Sequence, residues 1–290
     1  MDLSQTNTIS TLIETIEGID WRSLRSDQQT WILRALIKSA REWQVSHDFE
    51  ATIGSVIAQS SGFCHCCRMQ VVFSSSDGWL RDHYACSNCG SVPRERNIMR
   101  ALDELVPAWT EKSIHESSPS NMRLRDLASN YKYSFYEPDV ASGARLPNGG
   151  TSENLERLSF SSDTLDVFIT QDVLEHVFDP EASVKEVMRT LRVGGWYIFT
   201  TPRSHYLAES VRRAKLVDGE VINIVPPEYH GSPIGDGRVL VTFDWGQDLE
   251  SLLSIWSAED VITRGTRDQS RGIDGEAFEV FAIKKTRSYS

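Results

Sequence analysis

The spacing of hydrophobic positions changes along the chain, and each change marks a different kind of structure. Up to about residue 60 the period is helical. Ile9, Leu12, Ile13 and Ile16 share one face at three- and four-residue spacing. Ser26 and Gln29 then form a capping box ahead of Trp31, Ile32, Ala35, Leu36 and Trp43, and a third short stretch carries Ile53, Val56 and Ile57. This predicts an N-terminal helical segment over 1–60. It would serve as a cover, a substrate lid or the surface through which the chain forms a homo-oligomer.

The run SSGFCHCC breaks that period, and a short cysteine-rich module is expected over 61–94. From Glu95 to Val106 the pattern is helical again, with Ile98, Leu102 and Leu105 on one face. Beyond Pro107 strands and helices alternate. Strands are expected at Ser113–His115, Tyr131–Tyr136, Leu165–Thr170 and Trp196–Thr200, with helices near 121–128 and 181–191 and a last strand through Val280 and Lys284. Asp179 is placed to cap the 181–191 helix and Pro180 suits its first turn. Strands joined by crossover helices predict an α/β domain over 95–290, its sheet largely parallel and covered on both faces.

Composition narrows the function. Thirty basic residues against 41 acidic ones leave a net charge of −11, so the molecule as a whole repels a polyanion and nucleic acid is not an expected partner. A local exception is the mildly basic island of Arg68, Arg81, Arg94, Arg96 and Arg100, which leaves room for an anion contact. The start MDLSQTNTIS lacks the basic and apolar regions of a signal peptide, and no apolar run approaches the roughly 18 residues needed to span a bilayer. A cytoplasmic protein without a membrane partner is expected.

All five cysteines fall between positions 64 and 89. In a reducing compartment such clustering points to metal before disulfide. Cys64 and Cys67 form one C-x-x-C and Cys86 and Cys89 another, the pairing that completes a closed tetrahedral site for structural zinc. Cys66 is the surplus thiol, and His65 and His83 are fallback ligands.

The stretch LDVFITQDVLEHVFDPEASVKEVMRTLRVGGWYIFTTP, from Leu165 to Pro202, resembles the fourth-strand to fifth-strand region of class I S-adenosylmethionine-dependent methyltransferases. The cysteine knuckles running into CSNCGSVPRERNIMRAL resemble a subgroup of these enzymes with an N-terminal zinc ribbon. The resemblance implies a Rossmann-like methyltransferase sheet over 95–290, a zinc-ribbon module over 61–94 and S-adenosylmethionine as cofactor. It also exposes a departure. Members carry a G-x-G-x-G loop after the first strand, where glycine lets the backbone approach the cofactor. This chain has His115-Glu116-Ser117-Ser118-Pro119-Ser120 instead.

In the zinc-ribbon subgroup a glycine-poor E-x-x-P turn looks tolerated, which makes Glu116, Ser117, Ser118 and Pro119 candidate cofactor residues, with Glu116 facing the cofactor's ammonium. The resemblance further implies a carboxylate for the ribose hydroxyls near the end of the second strand. Glu137 is nearest, while Tyr136 or Asp139 can take that place. Asn154 and Leu155 fall beside the adenine, ahead of an expected third strand, or else form a polar turn feeding Leu158 and Phe160 into the core. Ligands bind outside the carboxyl ends of strands at the point where strand order reverses, so Gln171, Asp172, Val173 and His176 should border the cofactor. Glu175 shares the first helical turn expected there with His176 and reads as structural.

Farther on, Pro226-Pro227-Glu228-Tyr229-His230-Gly231 lies in a poorly periodic stretch of the kind that carries substrate selectivity. His230 is the candidate catalytic base and Tyr229 its neighbour. The function these features imply is methyl transfer to an O, N or C nucleophile of a small-molecule acceptor. One rival is a noncatalytic zinc-ribbon binding protein with a degenerate methyltransferase domain. A nicotinamide-dependent oxidoreductase is disfavoured because no G-x-G-x-x-G opens a strand–helix unit.

Overall fold

The cysteine-rich stretch folds as a small antiparallel sheet. Strand β1 (Ala58–Cys64) returns through a tight turn into β2 (Met69–Ser75), which also pairs with the short β3 (Ala85–Cys86). A one-turn helix, α1 (Leu80–His83), lies between β2 and β3. A computed structural model of the chain describes residues 57–121, 123–231 and 237–288. The expected helices over 9–56, with their capping box and self-association surface, lie outside the described residues. Within them the module starts at Ala58, three residues ahead of the expected boundary, because β1 already includes Ala58 to Ser60.

Helix α2 (Pro93–Leu105) leads from this module into a seven-stranded sheet. Its strands are β4 (Ser113–Ser117), β5 (Asn130–Phe135), β6 (Thr151–Ser152), β7 (Leu165–Gln171) and β8 (Leu191–Thr200), followed much later by β15 (Val261–Arg264) and β16 (Val280–Lys284). The spatial order is β15-β16-β8-β7-β4-β5-β6. Strands β4 to β8 run parallel, and β16 is antiparallel to both its neighbours. Strand order reverses between β4 and β7, so a crevice is expected above that pair.

The period of two along each central strand sorts its residues between two cores. Val167, Ile169 and Ile198 meet Ile98, Met99 and Leu102 of α2. Phe168, Tyr197 and Phe199 meet the other face, built by α4 (Pro180–Thr190) with Val184, Val187 and Met188 and by α5 (Leu249–Ser257) with Leu249 and Leu253. The short α3 (Arg123–Leu127) connects β4 to β5. Asp179 caps α4 as expected, accepting from the Ala182 amide at 2.9 Å. Between α5 and β8 in the chain, the small antiparallel pairs β9 (Val211–Arg212) with β14 (Phe243–Asp244), β10 (Ala214–Val217) with β11 (Glu220–Asn223), and β12 (Tyr229–Gly231) with β13 (Arg238–Leu240) replace any long helix. No helix among the described residues is long and apolar enough to cross a membrane.

Two expectations are corrected here. The third strand precedes Asn154 instead of following it: Thr151 and Ser152 supply the pairing with β5, and Leu158 reaches the core from a loop. Glu175 and His176 do not sit on a helical turn. They occupy a tight turn after β7, because Pro180 with the Asp179 cap starts α4 only four residues later.

The module is locked to the sheet domain by a fully buried arginine. Arg96 donates from Nε to the Gly272 carbonyl at 3.0 Å, from Nη2 to the Gly272 and Tyr84 carbonyls at 2.5 and 2.7 Å, and from Nη1 to the Ser91 carbonyl. Its guanidinium also lies 4.6 Å from the Phe73 ring centre. Gly272 takes a φ of +62°, and a Cβ there would come within 2.5 Å of that same ring. Gly62 of β1 packs its backbone directly on Ser270, where a Cβ would overlap the carbonyl oxygen.

Replacing Arg96 with Met would keep the volume and leave the buried Gly272 and Tyr84 carbonyls without these donors, so we expect a loss of about 3 kcal/mol or more in urea unfolding. A loss below about 1 kcal/mol would show that the fork is dispensable. On the other face His115, packed against Phe160 and Phe168, is pushed down from 6.5 to about 3 by burial and by Lys132. The unfolded chain protonates His near 6.5, so stability is lost as pH falls from about 6.5 towards 3. The His115→Gln variant should show a flatter acid limb in thermal melts across that window.

Candidate active site

The two C-x-x-C turns share one backbone geometry. The Arg68 amide donates to the Cys64 carbonyl at 2.8 Å and the Gly90 amide to the Cys86 carbonyl at 2.9 Å. Arg68 and Gly90 both take left-handed φ values, +61° and +66°. Each turn thereby aims two sulfurs inwards, and the thiols of Cys64, Cys67, Cys86 and Cys89 lie within 4.8 Å of one another. Cys64–Cys89 and Cys67–Cys86 are 3.8 and 3.9 Å apart. Four thiolates about 2.3 Å from a zinc ion would stand about 3.8 Å apart, so the donor set fits that ion. Cys66 is buried outside the cluster, as expected of the surplus thiol. His65 and His83 are engaged by Asp103 and Asp77 instead.

Above the β4–β7 reversal the side chains are arranged around Glu116, the penultimate residue of β4. Its carboxylate is buried and accepts from the Tyr131 hydroxyl at 2.7 Å and from Gln171 Nε2 at 2.8 Å. Burial pushes Glu116 up to about 7 in spite of these donors. Gln171 Oε1 is also buried and has no hydrogen-bond partner among the described residues. Two acceptors thus share a recess lined also by Met99, Asn121, Arg123 and Leu124. Ser117 and Pro119 are buried beside it, and Ser118 takes a φ of +53°, making without glycine the left-handed bend for which glycine is usually used. Its amide continues the ladder to the Ser134 carbonyl at 2.8 Å.

Asp172, the first residue past β7, is also left-handed, at φ +53°. Thr200 donates to its Oδ1 at 2.9 Å, while Arg81 and Arg94 reach Oδ2 at 2.6 and 3.1 Å. These arginines belong to the cysteine module and the first turn of α2. The basic island is consumed in this way throughout: Arg68 pairs with Asp103, Arg100 with Glu104 and Asp268, and Arg96 serves the fork. The structure engages the island in internal ion pairs and, at Arg96, in backbone carbonyls.

Glu175, His176 and His230 converge on the far side of Asp172. Glu175 is buried and takes the Thr201 hydroxyl on Oε2 at 2.9 Å, leaving Oε1 without a hydrogen bond. His176 Nε2 and His230 Nδ1 stand 3.7 and 3.9 Å from Oε1. Burial raises Glu175 and lowers both imidazoles, His176 to about 4. Glu175 therefore stands beside two of the candidate residues, where sequence reasoning had read it as structural. Its signal was its place beside His176 at the end of β7.

The remaining candidates are more scattered. Tyr136 and Glu137 follow β5 directly, with Tyr136 about half exposed. Asn154 turns the chain by accepting from the Glu156 amide at 2.8 Å. Leu155 is packed against Leu158 and Phe168, so its side chain is committed to the core. Val173 packs partly on the same cluster. Tyr229 is exposed, with Arg238 4.9 Å from its ring centre. Arg81, Arg94 and Arg123 were not expected at this crevice. The R-x-R spacing was visible, but their docking depends on how the module folds back.

Residues 133–199 match the family model for a methyltransferase domain. Among solved structures the chain is similar to an S-adenosylmethionine-dependent methyltransferase from Mesorhizobium loti, with 16% identity over 64% of this chain and 96% of that one and a TM-score of 0.41. A second, described as such an enzyme from Listeria monocytogenes, shares 10% identity over 67% and 100%, with a TM-score of 0.42. The glycopeptide N-methyltransferase MtfA, solved with S-adenosylhomocysteine, shares 14% identity over 67% and 89%, also with a TM-score of 0.42. No curated protein sequence matches. The matched segment runs from the second half of β5 through most of β8 and gives this sheet the enzyme class expected from Leu165–Pro202, a methyltransferase.

Asp172→Ala would leave Arg81 and Arg94, both mostly buried, with Asp82 as their shared partner. The expected cost is about 2 kcal/mol, together with faster amide exchange over 80–94. Unchanged exchange there would mean that Asp172 does not hold the module.

Proposed function

We propose that this chain is an S-adenosylmethionine-dependent methyltransferase with a structural zinc ion, acting on an O, N or C nucleophile of a small-molecule acceptor. The observation that carries this reading is the buried Gln171 Oε1, without a hydrogen-bond donor among the described residues, beside the buried Glu116 carboxylate at the carboxyl end of the first and fourth strands of the parallel sheet. A buried acceptor without a donor costs roughly 1–3 kcal/mol, and the ammonium of the cofactor's methionyl group supplies donors of the right charge. Ser117, Ser118 and Pro119 would border that group. Glu137 or Tyr136 would meet the ribose and Asn154 the adenine, with Leu155 contributing through its backbone. Gln171, Asp172, Val173 and His176 would form the wall past β7.

When bound, S-adenosylmethionine supplies an electrophilic methyl and a neutral thioether leaving group. The protein's task is then to align the nucleophile and manage its proton. His230, carried on the β12–β13 hairpin with Tyr229, faces Glu175 and His176 and is assigned to the acceptor side. The four cysteines would hold zinc in a closed site that keeps the module folded and so keeps Arg81 and Arg94 against Asp172.

A cation docking on Glu116 favours its charged form, so cofactor binding should expel a proton near pH 7. Calorimetric titration with S-adenosylmethionine in buffers of different ionisation enthalpy is expected to show Glu116 releasing up to about three quarters of a proton per site at pH 6.5, and less as the pH rises above 7. Glu116→Gln should lose this release and bind about tenfold or more weaker. Absence of binding by the folded protein would refute the cofactor assignment. For zinc, native mass spectrometry should show an ion lost in Cys86→Ser; a fully folded metal-free wild type would refute that part.

A further inference from the structure

We infer that Glu175, His176 and His230 form a second divalent-cation site, distinct from the four cysteines and open on the acceptor side. One candidate donor atom from each of the three residues lies within 4.8 Å of the others. The separations from Glu175 Oε1, 3.7 Å to His176 Nε2 and 3.9 Å to His230 Nδ1, are too long for hydrogen bonds. They suit atoms sharing one ion. Ligands about 2.1 Å from a metal stand about 3.4 Å apart in a tetrahedron and about 4.2 Å apart across a line, and the observed spacings fall between.

The hydrogen bonds behind the cluster orient its lone pairs. His176 Nδ1 lies 2.8 Å from the Leu240 carbonyl, an atom that only accepts, so Nδ1 carries the proton and Nε2 presents its lone pair to the cluster. A histidine held by a backbone carbonyl on one nitrogen while the other ligates is the usual arrangement behind a metal. Glu175 is likewise anchored through Oε2 by Thr201, and Oε1 is buried without a donor. Two lone pairs facing each other, on His176 Nε2 and Glu175 Oε1, need a proton or a cation between them, and 3.7 Å is too long a gap for a shared proton.

The nearby Arg81 does not fill that role, since its guanidinium is held 2.6 Å from Asp172. His230 comes from a different element, β12, and its T-shaped contact with His176, 5.2 Å between ring centres, sets the two imidazoles at nearly a right angle. Two imidazoles and one carboxylate suit zinc, cobalt or manganese and leave at least one position free for water or for an oxygen of the acceptor. The site itself stands on this geometry. Its use in handling the acceptor rests on the methyltransferase reading, and there ligation would take the place of a free His230 base.

The test uses the full chain, first freed of metal by chelation under reducing conditions and then titrated with Co2+ in the absence of S-adenosylmethionine. Two spectroscopically distinct sites are expected: one with intense sulfur-to-cobalt charge transfer, and one with only weak ligand-field bands. His230→Ala, on a partly exposed hairpin, and Glu175→Gln should each abolish the second set and leave the first intact, whereas Cys86→Ser should do the reverse. Circular dichroism checks that each variant is folded. A wild-type protein that binds cobalt through sulfur alone, or a second set of bands that survives in folded His230→Ala, would overturn the assignment. Calorimetry with S-adenosylhomocysteine on the same preparations reports separately on the cofactor site, so either reading can fail without the other.

Discussion

The buried fork of Arg96 is the constraint on which the rest of this structure depends. A guanidinium removed from water must find acceptors for its donors, and here they come from separated parts of the chain: Tyr84 and Ser91 in the cysteine module and Gly272 in the loop before the last strand. No single element could satisfy it. The module therefore cannot swing as an appendage on α2. It is welded to the sheet domain through contacts 176 residues apart in sequence, and Gly272 has no side chain because Phe73 occupies that space.

That rigidity is transmitted to the crevice. With Arg96 fixed on α2, Arg94 lies two residues away on the same first turns, and Arg81 approaches from α1. Both end on Asp172, which thereby holds its left-handed turn past β7 against Thr200. Arg123 adds a second tie by donating to the Cys89 carbonyl at 2.7 Å while lining the recess at Glu116. The cysteine cluster sits behind these contacts. Loosening it would release the arginines and with them the geometry of the residues that follow the central strand.

Much of this fold was legible because period and punctuation agreed. The Leu165–Thr170 strand and the Asp179–Pro180 start of α4 were read from side-chain type alone, and both survive in the structure because local preference and tertiary packing point the same way. The cysteine pairs were legible for the same reason: a C-x-x-C turn is a local geometry. The third strand was misplaced because Leu158 and Phe160 alternate like a strand although their backbone is held by the Glu186 and Arg189 side chains and not by a neighbouring strand, and hydrophobic alternation cannot report a missing neighbour. Nor could charge counting reveal that Arg68, Arg81, Arg94, Arg96 and Arg100 are all engaged internally. Those pairings join residues up to 176 positions apart and depend on topology.

Glu175 shows the same limit from the functional side. In sequence it is an acid next to a histidine at a strand end, equally suited to a structural or a chemical role. Only the return of β12 brings His230 to its free oxygen, and only the Leu240 carbonyl fixes which His176 nitrogen faces inwards. A fold selected for stability alone would place a donor beside Glu175 Oε1 or Gln171 Oε1, since each unsatisfied buried acceptor costs about 1–3 kcal/mol. These two atoms lie four residues apart at and just past the end of β7, where the proposed cofactor and cation would supply the missing positive partners. Under the proposed reading, binding would return that free energy to the folded protein.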